Sequence, residues 1–299
     1  MKHAPLPPAC HPCIVRQALR TAQITGLDEV DQCRVLRTVH DALASEGNHP
    51  TTAQHIGRNV ADQALLLGGH PPEHDPYLEL KRRSNRLALS CVPALRQRIR
   101  QESDPLAAAL RVAAAGNIID FGAKDHGDLD LERELNGLWT QPFGRFDLES
   151  FRQRLGTANE MLYICDNAGE IVFDQLLMET LLAIRPTLRI HAALREMPII
   201  NDATLADGRE ISLDRQAHLL SSGSRVAGTF LDETTAEFQS LFARADIVVS
   251  KGQGNYGTIQ PNSDPRVFFI LRVKCAPVAA TTQQPLDSLL VLQGTTSRI

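Results

Sequence analysis

The chain has 299 residues, 43% of them apolar and 22% charged, enough to bury a sizeable core in one large domain or two smaller ones. Thirty-one Lys and Arg against 35 Asp and Glu leave a formal charge of −4, which argues against a general binder of nucleic acid or anionic lipid. The richest apolar stretch, Leu106 to Ile119, is broken by Arg111, Gly116 and Asn117, so nothing approaches the roughly 20 apolar residues of a membrane span. The start lacks the pattern of a secretory leader, and a cytoplasmic, soluble protein is expected.

The first hundred residues read as helices. Leu27, Val30, Cys33, Leu36, Val39 and Leu43 recur every three or four positions, the stripe of a half-buried helix. Cys10-His11-Pro12-Cys13 has the spacing of a thiolate pair, but no second close pair follows to complete a zinc site; Cys33 and Cys91 are the remote candidates, and a chance pair at a helix start is the favoured reading. Thr51-Thr52, Asp75-Pro76 and Asp104-Pro105 each look like a helix start. The last opens an Ala-rich helix that should end near Gly116-Asn117. The positive charges from Lys81 to Arg100 lack interleaved aromatic residues and read as a solvated helix face, not a nucleic-acid site.

After about residue 145, short apolar runs alternate with helical periods, the signature of a parallel sheet covered on both faces. Strands are predicted at Met161 to Cys165, Leu188 to Leu194, Asp246 to Ser250 and Val267 to Val273, with a late run at Ser288 to Leu292. Helical stretches lie at Ile171 to Ile184 and Thr234 to Ala245. The expected class is α/β: a three-layer α/β/α domain with a mostly parallel sheet over 104–299, preceded by a helical domain over 1–103.

Polar residues follow the strands at once: Asp166-Asn167-Ala168-Gly169-Glu170, Lys251-Gly252-Gln253-Gly254-Asn255 and Lys274-Cys275. In open parallel sheets the ligand crevice lies beyond the carboxyl ends of the strands, so these segments should converge. Asp166, Asn167 and, one crossover later, Asp202 offer oxygen ligands for Mg²⁺ or Mn²⁺, with Co²⁺ or Ni²⁺ also possible. Either aspartate alone would otherwise be read as a helix cap. Lys251 with Gly252, Gly254 and Gly257 reads as a phosphate cradle. The spacing also satisfies G-x-G-x-x-G, but Thr258 to Asn262 is a poor helix start, which argues against a dinucleotide fold. There is no G-x-S-x-G elbow and no G-x-x-x-x-G-K-[ST] loop, and Ala168 stands where a haloacid-dehalogenase-type phosphatase needs a second aspartate.

These segments, together with Asn201-Asp202-Ala203 and Ala115-Gly116-Asn117-Ile118-Ile119-Asp120-Phe121-Gly122, resemble the metal-dependent damage-control phosphatases, the ARMT-like group. Cys10-x-x-Cys13 is similar to the prokaryotic branch of that group. The resemblance spans nearly the whole chain and implies hydrolysis of small phosphate esters, sugar phosphates or damaged phosphometabolites. It implies a divalent metal on Asp166, Asn167 and Asp202, catalytic roles for Asp166 and Lys251, and substrate contacts from Asn117, Asp120, Gly169, Glu170, Lys251, Gly252, Gly254, Asn255 and Lys274. Asp166 is either the nucleophile or only a ligand, and Glu170 either orients water or simply occupies a favourable first helical turn. A non-catalytic phosphometabolite sensor is the competing class, and carboxyl methylation ranks below it. The expected partner is a small phosphorylated metabolite, with no nucleic acid or membrane partner and no oligomeric state implied.

Overall fold

The computed structural model describes residues 6–45, 52–116 and 137–295. Five helices come first: α1 (Cys10–Ile24), α2 (Glu29–Ala44), α3 (Ala53–Leu67), α4 (Leu78–Gln101) and α5 (Pro105–Ala115). Their starts follow the sequence chemistry. Thr52 accepts from the His55 amide at the start of α3, and Asp104 accepts from the Ala107 amide with proline next in the chain. Apolar side chains of α1, α2 and α3 form a small core of their own around Ala18, Val35, Val39, Ile56 and Val60. The second half of α4, from Ala88 to Ile99, packs into the core beneath the sheet instead.

The sheet contains β1 (Phe143–Phe146), β2 (Glu160–Ile164), β3 (Arg189–Leu194), β4 (His218–Ser221), β5 (Ile247–Lys251), β6 (Val267–Arg272) and β7 (Leu289–Gln293). Their order is β1-β7-β6-β5-β2-β3-β4, and every neighbouring pair is parallel except β6 with β7. The connecting helices are α6 (Leu148–Thr157), α7 (Glu170–Ile184), α8 (Leu205–Glu210), α9 (Ala236–Arg244), α10 (Gly252–Ile259) and α11 (Ala276–Thr282). The central strands alternate their side chains between two cores. Met161, Tyr163, Val249, Phe268 and Ile270 face α4, α5 and α7, whereas Leu162, Ile164, Val248 and Phe269 face α9 and α10. The three-layer α/β/α architecture with helices ahead of it is the one expected.

The chain runs from β2 outward through β3 to β4 and then returns to place β5 on the other side of β2. The strand order therefore reverses between β2 and β5, the topological switch point at which a crevice opens beyond the strand ends.

One local expectation needs correction. The segment after β5 is not a loop: Lys251 is the last strand residue, and α10 begins at Gly252, ahead of the Thr258–Asn262 stretch whose composition argued against a helix. The alternative reading of Asp166 and Asp202 as helix caps does not hold, since Gly169 precedes α7 and Thr204 precedes α8. Among the described residues no helix is long and apolar enough to cross a membrane.

Candidate active site

The centre is built by a short antiparallel pairing outside the sheet. The Ala203 amide donates to the Asp166 carbonyl at 2.8 Å, and the Ala168 amide donates to the Asn201 carbonyl at 2.9 Å. Asn167 is thereby set opposite Asp202. Two segments that follow different strands, β2 and β3, thus present Asp166, Asn167 and Asp202 together, all buried. Asn167 Nδ2 donates to Asp166 Oδ2 at 2.9 Å and lies 3.5 Å from Glu170 Oε2.

The electrostatics of this cluster are anionic. Burial, then repulsion from Asp202 and Glu170, holds the Asp166 carboxyl well above the usual carboxylate range, against opposing pull from Arg195 and Lys274. Arg195 is the buried counter-charge. Its Nε donates to Asp202 Oδ2 at 2.7 Å, its two terminal nitrogens donate to Thr229 Oγ1 and Asn255 Oδ1, and one of them stands 3.8 Å from Asp166 Oδ1. With Lys251 on Glu170 and Asp174, two buried cations among the described residues face four buried carboxylates, the deficit that a group of hard oxygen donors for a divalent cation would show. Among the described residues no set of three His, Cys, Asp or Glu side chains encloses a metal position; the oxygen set here is two carboxylates and the Asn167 amide, whose oxygen accepts no hydrogen bond among the described residues. By donor chemistry and by charge, the residues fit the implied metal.

Glycine makes room for this arrangement. Gly252 has φ +76°, and a Cβ there would lie 1.9 Å from Asp166 Oδ2. Gly252→Ala is therefore expected to displace the Asp166 carboxylate and to cost about 1–3 kcal/mol, read from the denaturant midpoint. Gly254 is equally constrained, with a Cβ site 2.5 Å from the Ala227 carbonyl oxygen. Gly169, at φ +80°, packs against Ser84, and its amide donates to Asn85 Oδ1 at 2.6 Å.

Lys251 is completely buried at the end of β5, and its ammonium points inward. Its Nζ donates to the Ala113 carbonyl at 2.9 Å, to Glu170 Oε1 at 2.7 Å and to Asp174 Oδ1 at 2.5 Å, which engages all three N–H groups. Burial alone would lower its pKa, but Asp174 and Glu170 outweigh that and raise it, so the ammonium is permanent. Asp174 must share this cation with Glu170 while fully buried, and its carboxyl is raised to about 6. Tyr163 donates its hydroxyl to Asp174 Oδ1 at 2.7 Å. The phosphate cradle expected at 251–255 thus takes the form of a clamp on carboxylates.

Asn255 is also interior. Its Nδ2 donates to the carbonyls of Cys165 and Lys251, and its Oδ1 accepts from Arg195 and Thr229, so one amide ties together the ends of β2, β3 and β5. Lys274 is exposed at the rim, near enough to Asp166 to favour its charged form. Asn117 and Asp120 lie outside the described residues.

Sequence reading missed Arg195, although it directly follows β3 and the strand-end rule applied there would have found it. It also missed Asn85 and Lys81, hidden in what looked like a solvated basic face. Lys81 is buried and paired with Asp75 at 2.7 Å and Asp207 at 2.6 Å, pinning the start of α4 to α8. Cys33 is exposed and Cys91 lies in the core under the sheet, so neither joins Cys10 and Cys13 in a zinc tetrad.

A mostly parallel sheet covered on both faces, with an acid-amide-acid cluster gathered at its switch point, places the chain in the doubly covered α/β class. The chain belongs to the damage-control phosphatase ARMT1-like domain family, whose model matches residues 6–290. It is 31% identical over 279 residues to a damage-control phosphatase of Archaeoglobus fulgidus, covering 91% of this chain and 93% of that one. It is 28% identical over 285 residues to a damage-control phosphatase of Pyrococcus horikoshii, covering 95% and 96%. An uncharacterized protein of Methanocaldococcus jannaschii is 32% identical over 280 residues, covering 91% and 90%. The crystal structure of a DUF89 family protein from Pyrococcus horikoshii superposes with a TM-score of 0.86 at 28% identity, covering 98% of this chain and all of that one.

Proposed function

We propose that this protein is a divalent-metal-dependent phosphatase of small phosphate esters, with Asp166, Asn167 and Asp202 holding the cation. The observation that carries the reading is the convergence of Asp166, Asp202 and Glu170 around Asn167, where, with Asp174, four buried carboxylates face two buried cations among the described residues, Arg195 and Lys251. Such a cluster is costly without a further positive charge. Two relatives that bear the name damage-control phosphatase support the same chemistry.

When bound, Mg²⁺, Mn²⁺, Co²⁺ or Ni²⁺ supplies Lewis-acid stabilisation of charge on the phosphoryl oxygens. The chain's own residues do the rest. Arg195 fixes the Asp202 carboxylate through Nε, and Asn255 fixes Arg195, so that pair cannot turn away as a substrate enters. Lys251 holds Glu170 beside Asn167. The exposed ammonium of Lys274 and the first-turn amides of α10 at Gly252 form the positive rim that receives the phosphate anion.

A chelator should abolish phosphate release from p-nitrophenyl phosphate, and adding back Mn²⁺, Co²⁺, Ni²⁺ or Mg²⁺ in turn should restore it to different degrees. Full turnover in the chelated protein would overturn the metal dependence. Saturable binding of phosphate esters without phosphate release, across a panel of sugar phosphates and other phosphometabolites, would replace the enzyme with a sensor.

A further inference from the structure

Beside the acidic centre lies a cavity of ≈ 200 Å³ between α1 and α3 on one side and the chain at 199–200 and 227 on the other. Its walls are apolar, with Ile14, Val60, Ile199 and Ile200 prominent, and its polar side chains are Gln17 and Gln54 with the Cys13 thiol; among the described residues no charged one lines it. Three observations connect it to the centre. Ile199 and Ile200 lead directly into Asn201 and Asp202, and the Asp202 amide donates back to the Ile199 carbonyl at 3.1 Å. The Ala227 carbonyl abuts Gly254 in the first turn of α10, the same turn that cradles Asp166. Gln54 reaches Gly257, one turn further along that helix.

Ile200 itself is held at φ +39°, a region that a β-branched residue rarely occupies, at the wall of this cavity and two positions before a proposed metal ligand. Strain of that kind persists where surrounding structure over-determines it, and it clusters at ligand-binding positions. On the α3 side, Arg58 donates to the Pro198 carbonyl at 3.1 Å and keeps the 198–200 chain in place.

We propose that this cavity is the subsite for the carbon portion of the substrate and that it selects phosphate monoesters whose leaving group carries one uncharged, mainly apolar body about the size of a single ring. The inference rests on the phosphatase reading above and narrows it. A cavity of about 150 Å³ accepts benzene, so the volume here holds a ring with a small substituent. Among the described residues the lining carries no charge, which disfavours a second phosphate, and the Gln54 carboxamide and the Gln17 carbonyl oxygen offer a hydroxyl or amide group on the body a partner.

Gly57 provides the test. It lines the cavity from α3, and a Cβ built there meets nothing within 4 Å, so a side chain at this position starts in open space and improves helix propensity. Benzyl phosphate and ethyl phosphate, both alkyl esters, are compared in wild type, Gly57→Ala and Gly57→Leu with Mn²⁺ present. The expected result is a graded loss in kcat/KM for benzyl phosphate, on the order of tenfold in Gly57→Leu, with ethyl phosphate unchanged within about twofold. Parallel losses for both esters, or no loss for either, overturn the assignment.

Equilibrium binding of benzylphosphonate and methylphosphonate separates this outcome from failure of the phosphatase reading. If wild type hydrolyses neither ester, that reading falls. The cavity assignment stands if benzylphosphonate still binds more tightly than methylphosphonate and Gly57→Leu removes the margin, and it falls if wild type binds the two alike or neither.

Discussion

Asp166→Asn should abolish phosphate release while leaving the metal-free protein as stable as wild type or slightly more so. The two effects have one origin. In the folded chain, burial and the neighbouring Asp202 and Glu170 disfavour the charge on Asp166, so a neutral isostere relieves repulsion. The same charge is what the proposed site needs to hold a cation, and its loss should lower turnover roughly a thousandfold or more, about 4 kcal/mol of transition-state stabilisation. Thermal unfolding with and without Mn²⁺ checks the linkage. Wild type should gain about 2.7 kcal/mol when the metal is present at a hundred times its dissociation constant, and the variant should gain almost nothing. A variant that keeps wild-type turnover, or gains as much from Mn²⁺, would remove Asp166 from the centre.

The second large effect is on the fold. Lys251→Met should destabilise the protein by about 3–5 kcal/mol, because it strands Glu170 and Asp174 in the interior without their shared cation. Its dependence on pH distinguishes this from simple loss of packing. Carboxyls raised in the folded state bind more protons there than in the unfolded chain, so their contribution to stability is greatest at low pH and is lost as pH rises. Asp174 already stands at about 6 with the lysine present, and without it this carboxyl should rise further. The deficit of Lys251→Met against wild type should therefore widen between pH 5 and pH 8, as followed by urea midpoints. A deficit independent of pH would mean that the ammonium is not what stabilises these acids.

The central strands were legible because strands buried on both faces must be apolar throughout: Met161-Leu162-Tyr163-Ile164 and Val267-Phe268-Phe269-Ile270 leave little else to read. The edge strands β1 and β4 were not. Each has four residues and a partly exposed face, so Phe143-Gly144-Arg145-Phe146 and His218-Leu219-Leu220-Ser221 carry no run to notice. Helix α10 was missed because three glycines and Pro261 weigh against a helix locally, whereas the close approach of Asp166 and Ala227 requires glycine at two of those positions.

At the site, the acid-amide pair and Asp202 could be read from their placement after strands, but the direction of Lys251 could not. Its burial depends on Asp174, a residue inside an apolar helix that seemed to be mere core, and on the Ala113 carbonyl 138 positions away. Asn85 is visible only once α4 is brought against the turn that follows β2.

Helix α4 ties the two ends of this molecule into a single inheritance. Its start is fastened to α1 through Tyr77, whose hydroxyl meets Thr21 at 2.9 Å, and to the turn before α7 through Asn85, while its later turns lie in the core under the sheet. Homologous recombination that joined the leading helices of one relative to the sheet of another would have to cut within or beside this rod, separating Gly169 from the side chain that accepts its amide.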